Sequence, residues 1–176
     1  YSGALGNAIK VSVCPSSAAY SNTLTGTFTV TAGSTTVTGS GSLANTQMQV
    51  GDFIVLSGRS TKVVAIANAT SFTLESAHLT GATAVSGTRR WEFFSEFDSA
   101  PGTSTAGSAA GASGDELHVV VQDRTGDITG TANTVLEKFG YLSKGSNAKA
   151  DGGGSNYYKD IVNDRSNYVW WAAHDN

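Results

Sequence analysis

The first residues of the chain alternate between apolar and polar types. From Asn7 to Val13, Ile9 and Val11 begin a series of apolar residues at every second position, with polar residues between them. Successive side chains of a strand point to opposite faces of a sheet. The pattern therefore predicts a strand with one buried face, which Pro15 ends because proline cannot donate to a ladder.

Short apolar segments separated by turn residues follow, from Gly26 to Phe94. The segments predicted as strands are Thr27–Thr31, Thr35–Thr38, Gly51–Leu56, Lys62–Ile66, Phe72–Leu74 and Arg90–Phe94. Gly33-Ser34 and Ser57-Gly58-Arg59 are typical of the tight turns of hairpins. The abundant threonines suit strands because they are β-branched. This spacing predicts a small antiparallel β-barrel or sandwich.

The segment from Asp98 to Asp115 has a different composition. It consists mostly of Gly, Ser, Thr, Ala and Pro. Such a segment buries too little apolar surface to offset the entropy that ordering it would cost. It is therefore predicted to be a loop or linker on the surface.

The remaining third of the chain mixes strands with one helix. Leu117–Val121 is an uninterrupted apolar run, which is typical of a strand covered on both faces. Asp123–Gly130 has the composition of a turn, and Thr134–Leu142 is a second predicted strand. Gly152–Ser155 is predicted to be a flexible joint. Tyr168–Trp171 is predicted to be a final, aromatic strand.

A short helix is predicted between that joint and the final strand. Asn156 is a suitable N-cap. Tyr157 and Ile161, and likewise Tyr158 and Val162, lie one helical turn apart. Together these patterns predict a mainly β (α+β) fold with one or two short helices.

Composition and charge narrow the classes of function. The chain has 176 residues, of which 39% are hydrophobic and 14% charged, and its formal net charge is −3. No basic stripe supports a nucleic-acid groove, and the only adjacent basic pair, Arg89 and Arg90, is expected to flank a strand. Cys14 is the only cysteine, so neither an intrachain disulfide nor a cysteine zinc site is possible. The apolar runs are far too short for a membrane-spanning helix.

Histidines and carboxylates form no convincing catalytic or metal-binding motif. His78, His118 and His174 lie in separate segments without metal-ligand spacing. His118 is expected to be a partly buried strand residue. Glu92 and Glu96 would be over 10 Å apart on one strand, roughly 3.3 Å per residue, so strand-edge solvation is the favoured interpretation for them and for nearby Asp98.

Three glycine- or serine-containing patterns also favour structural interpretations. Asp123–Asp127 resembles a calcium loop superficially, but it lacks the D-x-[DN]-x-[DN]-G pattern and the downstream Glu. Gly152–Ser155 is not followed by the Lys-Ser/Thr pair of a phosphate-binding loop. Serine and threonine are abundant, but no G-x-S-x-G motif supports a nucleophile. Asn68-Ala69-Thr70 is a formal glycosylation sequon.

Aromatic residues near the end of the chain are open to three interpretations. They are Tyr157, Tyr158, Tyr168, Trp170 and Trp171. Aromatic side chains dominate both cores and interfaces, so a core role is ranked first, a subunit contact second and a ligand platform third. We therefore predict no catalytic, cofactor or metal site.

Several phrases of the sequence resemble one family. They are the opening SGALGNAIKVSV, the DELHVVV strand, the ITG turn, TVLEKF with the LSK step after it, and SNYYKDIVNDRSNYVWW. In this order they are similar to the tail sheath protein of contractile-tailed, T4-like bacteriophages. None of them is a catalytic fingerprint, and the middle of the chain carries no such similarity.

The resemblance implies a structural subunit and not an enzyme. Such a subunit polymerises helically with other copies around the tail tube, and in the full-length protein it also meets the baseplate. The sheath is assembled in the host cytoplasm, belongs to the virion, and contracts to drive the tube through the host envelope. No cofactor, nucleic acid or membrane insertion is implied. The chain starts at Tyr1 without an initiator Met, and we expect it to be a surface-exposed piece of a longer protein, without the polymerising terminal regions.

The resemblance at both ends also suggests a discontinuous organisation. Residues 1–20 and 99–176 would form one sheath-type unit with a mixed sheet or sandwich, and residues 21–98 would form a barrel inserted into it. A tandem arrangement of two domains is the competing layout.

Two other functions stay open. One is a surface β-module that binds host glycans or receptors through Trp91, Phe93 and Phe94, and the other is a wall-degrading hydrolase.

Overall fold

The computed structural model describes residues 4–172, and contacts divide the chain into two compact units. Tyr1–Ser17 and Glu96–Asn176 form the first unit, and Ala18–Ser95 form the second. The strands are β1 Ile9–Cys14, β2 Ser21–Thr23, β3 Thr27–Val30, β4 Thr36–Ser40, β5 Phe53–Leu56, β6 Arg59–Asn68, β7 Ser71–Leu74, β8 Ala82–Val85, β9 Gly87–Arg90, β10 Glu116–Asp123 and β11 Thr134–Ser143. The α-helices are α1 Ser17–Tyr20, α2 Ala44–Gln47, α3 Thr105–Ala109 and α4 Tyr158–Arg165, and Ala4–Ala8 and Phe94–Glu96 are 3-10 turns.

A three-stranded antiparallel sheet is the centre of the first unit. Its order is β1-β10-β11, so the strand nearest the start of the chain pairs with one from its last third. Every residue of β10 after Glu116 is buried, which confirms the prediction of a strand covered on both faces. The helix α4 packs against this sheet. The apolar cluster that joins them consists of Leu117, Val119, Leu142, Tyr158, Ile161 and Val162.

Eight strands form one continuous ladder in the second unit. Their order is β2-β9-β5-β6-β7-β4-β3-β8, and every neighbouring pair is antiparallel. Alternate residues of these strands fill a core. In it the rings of Phe28 and Phe72 meet edge to face, with centroids 5.7 Å apart. Burying each such side chain contributes roughly 1.5–3 kcal/mol before entropy is counted.

The fold is mainly β, as predicted, but two finer expectations were wrong. No closed barrel is found among residues 4–172, because the end strands β2 and β8 of the ladder do not pair with each other. The sheet of the first unit is antiparallel throughout rather than mixed.

Turn residues set the hairpins of the second unit as the sequence predicts. The strands β3 and β4 pair on either side of the Gly33 turn, where Gly33 has φ +79°. Ser57 and Gly58 connect β5 to β6, and both have positive φ, 46° and 80°. Two consecutive positive φ angles are the requirement of a type I′ hairpin, whose twist matches that of the strands.

Some predicted boundaries were wrong for local reasons. Arg90–Phe94 is not a strand: β9 ends at Arg90, and the Phe94 N–H donates to the Trp91 carbonyl in a turn at 2.9 Å. The segment Tyr168–Trp171 is not a strand either. The predicted loop between Asp98 and Asp115 contains α3. Asn156 does not cap α4; its side-chain amide donates to the Tyr141 carbonyl instead.

Candidate interaction surface

The apolar face of β1 is open in the first unit. Val11 is 46% exposed and Val13 is 37% exposed, although alternation predicted that this face would be buried. Two adjoining cavities lie along it, of about 280 and 400 Å³. The residues that line them are Leu5, Gly6, Ile9, Val11, Val13, Val119, Ile128, Val162, Asn167, Tyr168, Val169, Trp170, Trp171 and Ala172. We call this surface the β1 groove.

The second wall of the β1 groove is the segment that follows α4. Val169 lines both cavities with Val11, so the two form one continuous surface. Trp170 is 68% exposed and Tyr168 is 40% exposed at its rim. Large apolar side chains that are exposed side by side mark contact surfaces more often than those scattered singly.

Side chains, rather than a strand ladder, hold this wall in place. The Glu137 carboxylate of β11 accepts hydrogen bonds from the Ser166 hydroxyl at 2.6 Å and from the Asn167 N–H at 2.8 Å. Ser166 Oγ in turn accepts from the Val169 N–H at 3.0 Å. Because these bonds satisfy the backbone, the wall keeps an extended course without pairing to a strand.

The aromatic residues near the end of the chain divide between core and surface. The Tyr158 ring is buried and meets two other rings edge to face. Its centroid lies 4.8 Å from that of Tyr157 and 4.6 Å from that of Trp171. Burial, together with the hydrogen bond and proximity of Tyr157, raises the pKa of the Tyr158 phenol. The side chains of Tyr168 and Trp170 are exposed to solvent instead. The sequence could not assign these two roles separately.

Two of the three histidines are buried in different units. His118 lies in β10 of the first unit, fully buried rather than partly buried. His78 lies in the second unit, and its Nε2 donates to the Leu56 carbonyl at 3.3 Å. His174 lies outside the described residues. Within residues 4–172, no group of three or more His, Cys, Asp or Glu side chains is placed to hold a metal ion.

The Asp123 turn binds its own backbone. The buried Asp123 carboxylate accepts from the N–H groups of Gly126 and Thr129 at 2.8 Å, and also from the Ile128 N–H and the Thr129 hydroxyl. Burial alone would raise the pKa of this carboxyl, but the hydrogen bonds from Thr129, Gly126 and Ile128 lower it overall. The structure thus gives this motif the turn role that the sequence favoured.

The acidic residues that are close in sequence do not form one cluster. Glu92 of the second unit lies 3.7 Å from the Lys62 ammonium. Glu96 lies 3.5 Å from the Lys138 ammonium in the first unit, and Glu96 and Asp98 line one cavity of about 340 Å³. The Ala150 N–H donates to the Gly154 carbonyl at 2.9 Å, so Gly152–Ser155, predicted to be a flexible joint, lies in a turn.

The proposed glycan-binding rings of the second unit are largely occupied. Trp91 and Phe93 are 4% and 5% exposed and meet each other edge to face. The Arg90 guanidinium lies over the Phe94 ring at 5.1 Å. Arg89 forms an ion pair with buried Asp52 at 2.9 Å.

A cluster of the half-buried Asp115 with two buried serines was not predicted. The Asp115 carboxylate accepts from the Ser104 N–H at 2.8 Å, from the Ser104 hydroxyl at 2.7 Å and from the Ser143 hydroxyl. Burial would raise the pKa of this carboxyl, but the hydrogen bonds from Ser143 and Ser104 lower it overall. Ser104 also caps α3 by accepting from the Gly107 N–H. The only signal for it in the sequence was a serine before a run of small residues. The cluster anchors the segment from Asp98 to Asp115, which was predicted to be a linker.

No helix in the described part of the chain is long and apolar enough to cross a membrane.

Comparisons with known proteins add no family to these observations. No protein-family model, no curated protein and no solved structure matches the sequence or the fold at a significant level.

Proposed function

We propose that the chain is a piece of the subunit of a contractile bacteriophage tail sheath, which polymerises helically around the tail tube. The observation that carries the proposal is where the resembling phrases lie. They form β1, β10, β11 and α4 with the segment after it, and all of these belong to the first unit. The block without resemblance is the second unit, which would project from the particle as an inserted β-module.

The β1 groove supports a role in assembly. A helical polymer needs contacts in which one surface of a subunit meets a different surface of the next. The first unit exposes the apolar residues Val11, Val13 and Trp170 side by side. Covering such a surface with another copy of the subunit would add hydrophobic stabilisation at roughly 25 cal/mol for each Å² that is buried.

The activity in this proposal is mechanical. The sheath would assemble in the host cytoplasm in an extended state and, in the virion, shorten when the baseplate meets the host. Contraction would exchange one set of subunit contacts for another of lower free energy. The free energy released by this exchange would drive the tube through the envelope without a cofactor.

Electron microscopy of the full-length reading frame, expressed alone, tests the proposal. Tubular polymers are expected for the wild type, and fewer or shorter tubes for a Val11→Ser/Trp170→Ser variant. Leu79→Ser is the matched control, because Leu79 is 70% exposed in the second unit. Full-length protein that folds, as judged by circular dichroism, but forms no tubes would refute the assignment.

A further inference from the structure

Three segments of the first unit meet at the side chain of His118. The β10–β11 register shifts at this residue, which leaves Gly140 and Tyr141 as a bulge opposite it. Phe97 comes from the segment by which the chain returns from the second unit to the first. Its ring stacks on the imidazole with centroids 4.1 Å apart and an interplanar angle of 8°.

Hydrogen bonds fix the protonation of the ring. The Tyr141 N–H donates to His118 Nδ1 at 3.0 Å, so Nδ1 carries no proton. The proton is therefore on Nε2, which donates to the Ser99 carbonyl at 3.0 Å. This neutral imidazole supplies one acceptor to the bulge and one donor to segment 97–99 at the same time.

The bulge depends on this acceptor. Tyr141 has φ +57°, a left-handed conformation that is unfavourable for residues other than glycine. A Cβ at Gly140 would lie 3.0 Å from Phe97 Cδ1, so the glycine allows the close approach of the Phe97 ring. The phenol of Tyr141 accepts from the Ser99 N–H at 3.0 Å. Segment 97–99 and the bulge are thus attached to each other on either side of His118.

We propose that His118 is an acid-sensitive attachment: protonation of its buried ring detaches segment 97–99 from the β11 bulge and opens this part of the first unit. A proton on Nδ1 would face the Tyr141 N–H, so two donors would meet where one hydrogen bond now lies. The imidazolium could leave this position only by turning, which would also break the Ser99 bond and the Phe97 stack.

The surrounding charged groups do not compensate fully for a buried imidazolium. Glu116 on the same strand favours the charged ring, and the Phe97 face attracts cations weakly. The Lys138 ammonium on β11 is paired with Glu96 at 3.5 Å. The titratable groups on the elements around His118 are Glu116 on β10, Cys14 on β1, Lys138 and Tyr141 on β11, and Glu96 and Asp98 beside Phe97.

The direction of the pH effect follows from burial. Burial lowers the pKa of His118 below its ordinary 6.5, although the backbone of Ser99 and Leu117, which favours the protonated ring, and the charge of Glu116 oppose this. The closed form therefore binds fewer protons than the open form. The attachment is complete above about pH 6.5 and weakens as the pH falls below that value.

Hydrogen exchange of the wild-type chain at pH 7.5 and pH 5.0, corrected for intrinsic rates, tests the proposal. The opening equilibrium at the Ser99 and Tyr141 amides should rise between these pH values, by at most about 30-fold, the limit for a closed form that never takes up the proton. The amides of β3 and β4 in the second unit serve as the internal reference. Equal protection of Ser99 and Tyr141 at both pH values would overturn the proposal.

Two variants and one spectrum separate the ring from general acid effects. In His118→Asn, Oδ1 can still accept from the Tyr141 N–H but cannot titrate, so the acid response should disappear. His78→Gln, which replaces the other buried histidine, should retain the response. Nitrogen chemical shifts of the wild-type His118 ring should show the Nε2–H form at pH 7.5. The Nδ1–H form, or an unchanged acid response in His118→Asn, would contradict the proposal.

Discussion

Asn163 pairs with the backbone of Trp171 as a strand partner would. Its Nδ2 donates to the Trp171 carbonyl at 3.1 Å, and its Oδ1 accepts from the Trp171 N–H at 2.6 Å. One side chain of α4 therefore satisfies both polar groups of a residue in the wall of the β1 groove. The aromatic segment after α4 can stay extended without joining the sheet.

Asn163→Ala should free this wall. Both hydrogen bonds to Trp171 would be lost, and at about 0.5–1.5 kcal/mol each the free energy of unfolding should fall by about 1–3 kcal/mol. Hydrogen exchange at Trp171 should show lost protection before any global change. Asn167→Ala is the control, because it removes only a 3.2 Å bond to Glu137. Equal losses in the two variants would contradict the special role of Asn163.

The buried ion pair of Asp52 and Arg89 in the second unit should be far more sensitive to mutation than the less buried pair of Lys62 and Glu92. Asp52 and Arg89 side chains are 4% and 14% exposed, and two guanidinium nitrogens contact the carboxylate at 2.9 and 3.3 Å. Asp52→Asn should cost about 3–5 kcal/mol, because it leaves the Arg89 charge uncompensated away from water. Urea denaturation measures this loss.

The control for the buried pair is Lys62→Met. The Lys62 ammonium lies 3.7 Å from Glu92 and is more exposed, so its loss should cost less than about 1 kcal/mol. The double variant Asp52→Asn/Arg89→Gln should be less destabilised than the sum of its single variants. Strict additivity would show that the two side chains act independently.

The Asp123 turn should open in acid. Because hydrogen bonds hold the pKa of this carboxyl below its ordinary 3.8, its contribution to stability is complete above that value and is lost as the pH falls through the lower, folded value. Amide resonances of Gly126 and Thr129 should therefore stay unchanged from neutrality to about pH 4 and shift below it. A transition near pH 6 would point to another group.

Asp123→Asn should weaken this turn at neutral pH. The remaining side-chain oxygen would accept from Thr129 and Ile128, so the new amide group would face the Gly126 N–H and that bond would be lost. Amide exchange at Gly126 measures the effect. Asp127→Asn is the matched control, since Asp127 accepts only from the exposed Thr125 hydroxyl. An equal effect of the two variants would show that Asp123 does not organise the turn.

Local patterns predicted the strands well where burial and turn chemistry acted together. The run Leu117–Val121 and the Ser57–Gly58 turn each required one conformation, and the structure shows it. The two end strands of the ladder in the second unit lacked a comparable signal. Short strands such as β2 and β8 were missed because they are only three and four residues long and depend on their neighbours for order.

The β1 groove could not be predicted, because alternation reports which side chains share a face and not what covers that face. Val11 and Val13 alternate as a buried face would, yet the isolated chain leaves them open. The wall after α4 was misassigned for a related reason. Its β-branched and aromatic residues suit a strand, but the distant side chains of Glu137 and Asn163 take the backbone bonds that a strand partner would have used.

The pairing of β1 with β10 has a consequence for the order of folding. Ile9 pairs with Asp123, so the whole of the second unit is synthesised between these partners. The second unit is continuous in sequence, so it can complete its ladder during synthesis, before β10 is available to pair with β1. Closing so long a loop is slow, and until then the backbone edge of β1 that pairs with β10 is open to aggregation. A nascent chain of this protein should therefore need chaperone protection at its first strand.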